Sequence, residues 1–171
     1  MKNNNKGFSL IELIVAVLIL GIISTGLISG VSTIYNARAE RASQVIGTVL
    51  KQARKKALAL NNTATDQIRA EICFDDGQYY ANVYTGTEQI INEKVGNDSL
   101  IIKFVDHSTG NAVTVDDANT INIYFKKSTG GISSIMNGSN PIDADQIFIS
   151  GLSDERKLIL VEVTGRCYTT D

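Results

Sequence analysis

Few side chains in this chain of 171 residues have chemistry to offer, and their spacing narrows the choice further. The one histidine, His107, sits in Val105-Asp106-His107-Ser108-Thr109-Gly110, a run of turn-forming residues. A serine–histidine–aspartate nucleophile would have to be built on it, and an exposed loop histidine is the simpler expectation. Cys73 and Cys167 stand far from His107 and from each other, without the ligand spacing of a zinc site. Acids at Asp75-Asp76, Asp116-Asp117 and Asp143/Asp145 supply oxygen donors, but none follows the pattern of a calcium-binding loop. No glycine-rich loop precedes a helix to cradle phosphate. The residues therefore predict no enzyme, no metal and no cofactor.

One carboxylate is placed differently. From Phe8 to Tyr35 the chain reads FSLIELIVAVLILGIISTGLISGVSTIY, and Glu12 is the only charge in it. The run is longer than the roughly 20 apolar residues that a helix needs to cross a bilayer. An ionised carboxylate is costly there and normally has a partner. Its helical neighbours Phe8, Ser9, Val15 and Ala16 carry no counter-charge. The partner is expected on another molecule, or at an amine created by processing.

The elements that position these groups follow from composition. With 43% apolar residues, two cysteines and one proline, the chain is neither disordered, collagen-like nor a disulfide-dense miniprotein. Its net charge of −2 (16 Lys+Arg, 18 Asp+Glu) conceals a strong asymmetry. Residues 1–7 carry +2 from Lys2 and Lys6, residues 8–57 carry +4, and residues 58–171 carry −8. Lysines without acids before the apolar run place the N-terminus in the cytoplasm and the rest outside. The run is too long for a secretory signal peptide, which leaves a membrane anchor.

Beyond Tyr35 the period stays helical. Ala42, Ile46, Val49, Ala53, Ala57 and Leu60 make one apolar stripe, with Arg38, Arg41, Lys51, Arg54, Lys55 and Lys56 mostly elsewhere. Asn61-Asn62-Thr63 ends the pattern, so a continuous helix from Phe8 would be about 80 Å long. From Ala70 the period becomes two. Strands are expected at Ile72–Phe74, Tyr79–Tyr84, Leu100–Val105, Ile121–Phe125, Ile132–Met136, Gln146–Ile149 and Leu158–Val163. Asp76-Gly77 marks a hairpin, and Gly130-Gly131 and Asn137-Gly138 mark turns. The fold class is α+β, a long N-terminal helix on a mainly antiparallel sheet. The domains are 1–7, 8–35, 36–61 and 62–171. The basic helix suits acidic surface on its own or a neighbouring head, or anionic lipid near Arg38 and Arg41. Nucleic acid is disfavoured by the acidic remainder. A bridge between Cys73 and Cys167 would close a long loop outside the membrane, where a disulfide persists. Two buried free thiols are the alternative.

Lys6-Gly7-Phe8-Ser9-Leu10-Ile11-Glu12-Leu13 resembles the prepilin signature of the type IV pilin superfamily. The resemblance implies a pilin-like fold, cleavage between Gly7 and Phe8 by a prepilin peptidase, and N-methylation of Phe8. It implies that residues 1–7 are a removed leader and that Glu12 is the assembly glutamate. It further implies partners: like subunits, the peptidase/methyltransferase, the membrane and an assembly platform. Localisation would be single-pass membrane before assembly, then a surface or envelope filament. Ala53-Arg54 with Ala57, Ile121–Phe125 before a Lys-Lys-Ser-Thr-Gly-Gly turn, and Val163-Thr164-Gly165-Arg166 ending the last strand are similar to minor pseudopilins of type II secretion. The expected function is a structural pilin or pseudopilin subunit. The alternative is a membrane-anchored extracellular binding module, such as an adhesion or DNA-capture pilin.

Overall fold

A computed structural model describes residues 9–60, 66–151 and 155–170, with backbone alone over 24–30. The chain divides into two compact units, Met1–Ile34 and Tyr35–Asp171. One helix, α1, runs over Leu10–Ala59 and contributes to both. In the first unit every described side chain from Ser9 to Ile23 is exposed. Among the described residues, no helix is long and apolar enough to cross a membrane.

In the second unit the helical stripe is buried as its spacing predicts. Ala42, Ile46, Val49, Ala53 and Ala57 are buried, joined by Ala39, Ser43 and Leu50, while Leu60 is half-buried. These residues share one apolar cluster with strands from two sheets. The strands are β1 (Ile68–Asp75), β2 (Gln78–Thr85), β3 (Glu88–Asn97), β4 (Ile101–Val105), β5 (Ala112–Thr114) and β6 (Ile121–Phe125). They continue as β7 (Ile132–Asn137), β8 (Asn140–Ile142), β9 (Gln146–Ser150), β10 (Glu155–Val161) and β11 (Arg166–Thr170). One sheet has the order β3-β2-β1-β6-β7-β8 and the other β11-β10-β9-β4-β5. Every strand pairing described is antiparallel. The expected α+β class with antiparallel strands is therefore present, divided over two sheets.

Register follows the alternation of side chains. Ile68, Ala70 and Ile72 on β1 are buried with Val83 and Ala81 opposite on β2, and with Phe125, Ile123 and Ile121 opposite on β6. A one-residue slip would turn this whole set outward, which fixes the pairing. Asp76 and Gly77 link β1 to β2 with φ of 46° and 72°. Positive φ at both residues of a two-residue loop matches the right-handed strand twist, the property that makes Asp-Gly a hairpin signal. The last expected strand is corrected. β10 ends at Val161, and Gly165 (φ 61°) belongs to a turn closed by its own N–H to the Val161 carbonyl at 2.6 Å. The chain then returns as β11 from Arg166, so Val163-Thr164-Gly165 connects two strands and does not end one.

Candidate functional site

Gly7 and Phe8, the expected cleavage and methylation positions, lie outside the described residues. Glu12 lies in the exposed first turn of α1. A helix leaves its first N–H groups without internal partners, so something must accept from them. Here Ser9 and Glu12 serve each other. The Glu12 N–H donates to Ser9 Oγ at 3.3 Å, and the Ser9 N–H donates to Glu12 Oε2 at 2.9 Å. The Leu13 N–H then donates to the Ser9 carbonyl at 3.2 Å, beginning the helical ladder. Ser-x-x-Glu is the reciprocal capping box.

This corrects the expectation that the chain holds no partner for Glu12 at helical spacing. The partner is a backbone N–H three residues back, which a pattern of charges alone does not reveal. The pattern Ser9-Leu10-Ile11-Glu12 was itself the signal. The cap engages Oε2, and a carboxylate has lone pairs to accept from an amine as well. Glu12 at the positive end of the helix dipole is also where an anion is favoured.

Cys73 and Cys167 are both free, the first half-buried and the second buried, and no bridge joins them. Their strands belong to different sheets and face different neighbours. Cys73 sits opposite Tyr80, and its sulfur accepts from Asn82 Nδ2 at 3.6 Å. Burial, with Glu71 and Asp75 nearby, pushes its thiol up to about 11. Cys167 is buried on β11 with Sγ 3.5 Å from the Gly47 carbonyl of α1. Burial raises its thiol as well.

His107 is exposed in the turn between β4 and β5, with Nε2 2.6 Å from Asp145 Oδ1. That hydrogen bond, and then the Asp145 charge, raises its pKa above the ordinary histidine value. Ser108 does not complete a nucleophile, because its hydroxyl donates to Asp106 Oδ1 at 2.7 Å. Asp106 also receives the Ser108 N–H and the Thr109 hydroxyl, and these bonds hold its carboxyl below the usual range. The acid is therefore a turn organiser. Asp116 likewise caps the N–H groups of Ala118 and Asn119, both at 2.9 Å. Among the described residues no group of three His, Cys, Asp or Glu side chains could hold a metal.

The basic helix meets the strands differently from the expected base-on-acid contact. Its acid, Glu40, pairs with Arg156 Nε of β10 at 3.2 Å. Arg54 Nε donates to the Thr164 carbonyl at 2.6 Å, while the Arg166 side chain is exposed. The Ala57 carbonyl near the end of α1 receives the Ser128 N–H at 3.0 Å. Lys51, Lys55 and Lys56 remain exposed.

No curated protein and no solved structure matches this chain, so the similarity of the head to minor pseudopilins is not shown. The N-terminal segment, with Ser9 and Glu12 framing the start of α1, is recognised: the prokaryotic N-terminal methylation motif, the signature of type IV pilin and pseudopilin precursors, matches residues 2–28.

Proposed function

We propose that this chain is a structural subunit of a type IV pilus or of a type II secretion-like pseudopilus. It is cut between Gly7 and Phe8, methylated at Phe8 and assembled through its N-terminal helix. The observation that carries the reading is the coincidence of Gly7, Phe8 and Glu12 inside the matched methylation motif at residues 2–28. The exposed apolar side chains from Leu10 to Ile23 support it, because such a surface calls for lipid or other copies of the same helix. In this reading residues 8–35 lie in the membrane before assembly and in the filament core afterwards.

Cleavage gives Phe8 an α-amine, positive at neutral pH, in an apolar setting. Glu12 of a neighbouring subunit neutralises it, so each charge is tolerated only when two subunits are in register. The cap to Ser9 holds the carboxylate at the helix start while leaving it acceptor capacity for that amine. The test is Glu12→Ala in cells carrying the assembly machinery. The variant should insert and be cleaved but be depleted roughly tenfold or more from sheared filaments, a charged pair being worth about that. Normal entry into filaments would overturn the role given to Glu12.

A further inference from the structure

In the second unit a pocket of about 380 Å³ opens between α1 and the β2–β3 hairpin, and it gathers Arg38, Arg41 and Lys94. No carboxylate belongs to its described lining. Glu40 is occupied by Arg156, and Glu93 lines the adjoining cleft with Arg41. Arg38 is held in position. Its Nη1 donates to Ser99 Oγ at 3.3 Å, the Ser99 hydroxyl donates to Asn97 Oδ1 at 2.7 Å, and the guanidinium lies 5.4 Å from the centre of the Tyr35 ring. One contact is spent on Ser99, and most donors of the fork stay open. Three like charges around one concavity repel each other unless an anion joins them.

The oxygens of a single phosphate can take Arg38, Arg41 and Lys94 together.

We propose that this pocket binds a single phosphate group, and that its source is the headgroup of an anionic phospholipid. Arg38 and Arg41 follow the apolar run ending at Tyr35 within two helical turns, where basic side chains meet lipid phosphates. The charge of −8 over residues 58–171 opposes a long polyanion far more than a single phosphate. The lipid source rests on the membrane reading proposed above, whereas the pocket chemistry does not.

The experiment is native mass spectrometry of the full chain in neutral maltoside micelles. Phosphatidylglycerol, phosphatidylcholine, soluble glycerol phosphate or a DNA duplex is added in parallel arms. Wild type should retain phosphatidylglycerol over phosphatidylcholine. An Arg38→Gln/Lys94→Gln variant should lose that preference roughly tenfold or more, since charged hydrogen bonds are removed. Both side chains are exposed, so an unchanged melting temperature verifies the fold. Equal retention of the two lipids, or a preference that survives in the variant, overturns the proposal. Binding of glycerol phosphate without lipid preference overturns the lipid source, and displacement of lipid by duplex overturns it in favour of nucleic acid. The readout does not depend on cleavage at Gly7, so its failure is separate from failure of the pilin reading.

Discussion

Ser43 is fully buried against the strands, and its hydroxyl has no hydrogen-bond partner among the described residues. A hydroxyl taken out of water without compensation is a net cost, and alanine is the better helix former. Ser43→Ala is expected to stabilise the second unit by about 1 kcal/mol, raising its melting temperature by about 2–4 °C in a thermal scan. A lower melting temperature would show that the hydroxyl is satisfied. The thiols give a second test at this scale. With the Cys73 thiol pushed up to about 11, its reactive thiolate at pH 8 is on the order of a hundredfold scarcer than in an ordinary cysteine. Iodoacetamide should therefore label Cys73 slowly in the native protein. Both cysteines should label after unfolding without reductant, and a need for reductant would restore the bridge. The capping box shows what a single residue can hide. Glu12 drew attention as a charge in an apolar run, whereas Ser9, an ordinary polar residue, holds it.

At the scale of elements, the turn joining β10 to β11 is the most constrained feature. Gly165 has φ of 61°, and a Cβ placed there would collide with the Gly130 carbonyl oxygen. Backbone strain and a clash with a main-chain atom add, and neither relaxes through a side-chain rotation. Gly165→Ala should cost at least about 2 kcal/mol in denaturant unfolding. An unchanged midpoint would mean that the two loops can separate freely.

What the sequence revealed about these elements divides along a physical line. Alternation marks β1, β2, β4, β6, β7, β9 and β10, although it runs past the observed end of β10 at Val161. The strands it does not mark, β3, β5, β8 and β11, are the four edges of the two sheets. An edge is covered on one side only, so it carries little of the alternation that burial imposes, and polar residues there discourage pairing with other chains. β3 bears Glu88, Glu93 and Lys94, and β8 contains Pro141, which an edge tolerates because no ladder donor is required of it. The division into two sheets was hidden for the same reason. Periodicity reports which side chains are buried, and both sheets feed one apolar cluster with α1. The methylation motif over residues 2–28 is legible in the sequence because its information is local.

For the whole molecule, the distribution of charge carries the argument. Residues 1–7 at +2, residues 8–57 at +4 and the remainder at −8 sum to a nearly neutral chain. Removal of residues 1–7 would leave side-chain charge −4, with opposite signs on the two parts. Opposite charge on separate parts of one chain favours association between copies and orients it. The exposed apolar residues of the first unit supply the surface on which that association would be built. Assembly as proposed depends on processing at one peptide bond. Mass analysis of the mature N-terminus, on protein recovered from cells containing a prepilin peptidase, tests that directly. The account predicts a chain beginning at N-methylated Phe8; recovery of an intact chain retaining Met1–Gly7 would contradict it and leave only a simple membrane anchor.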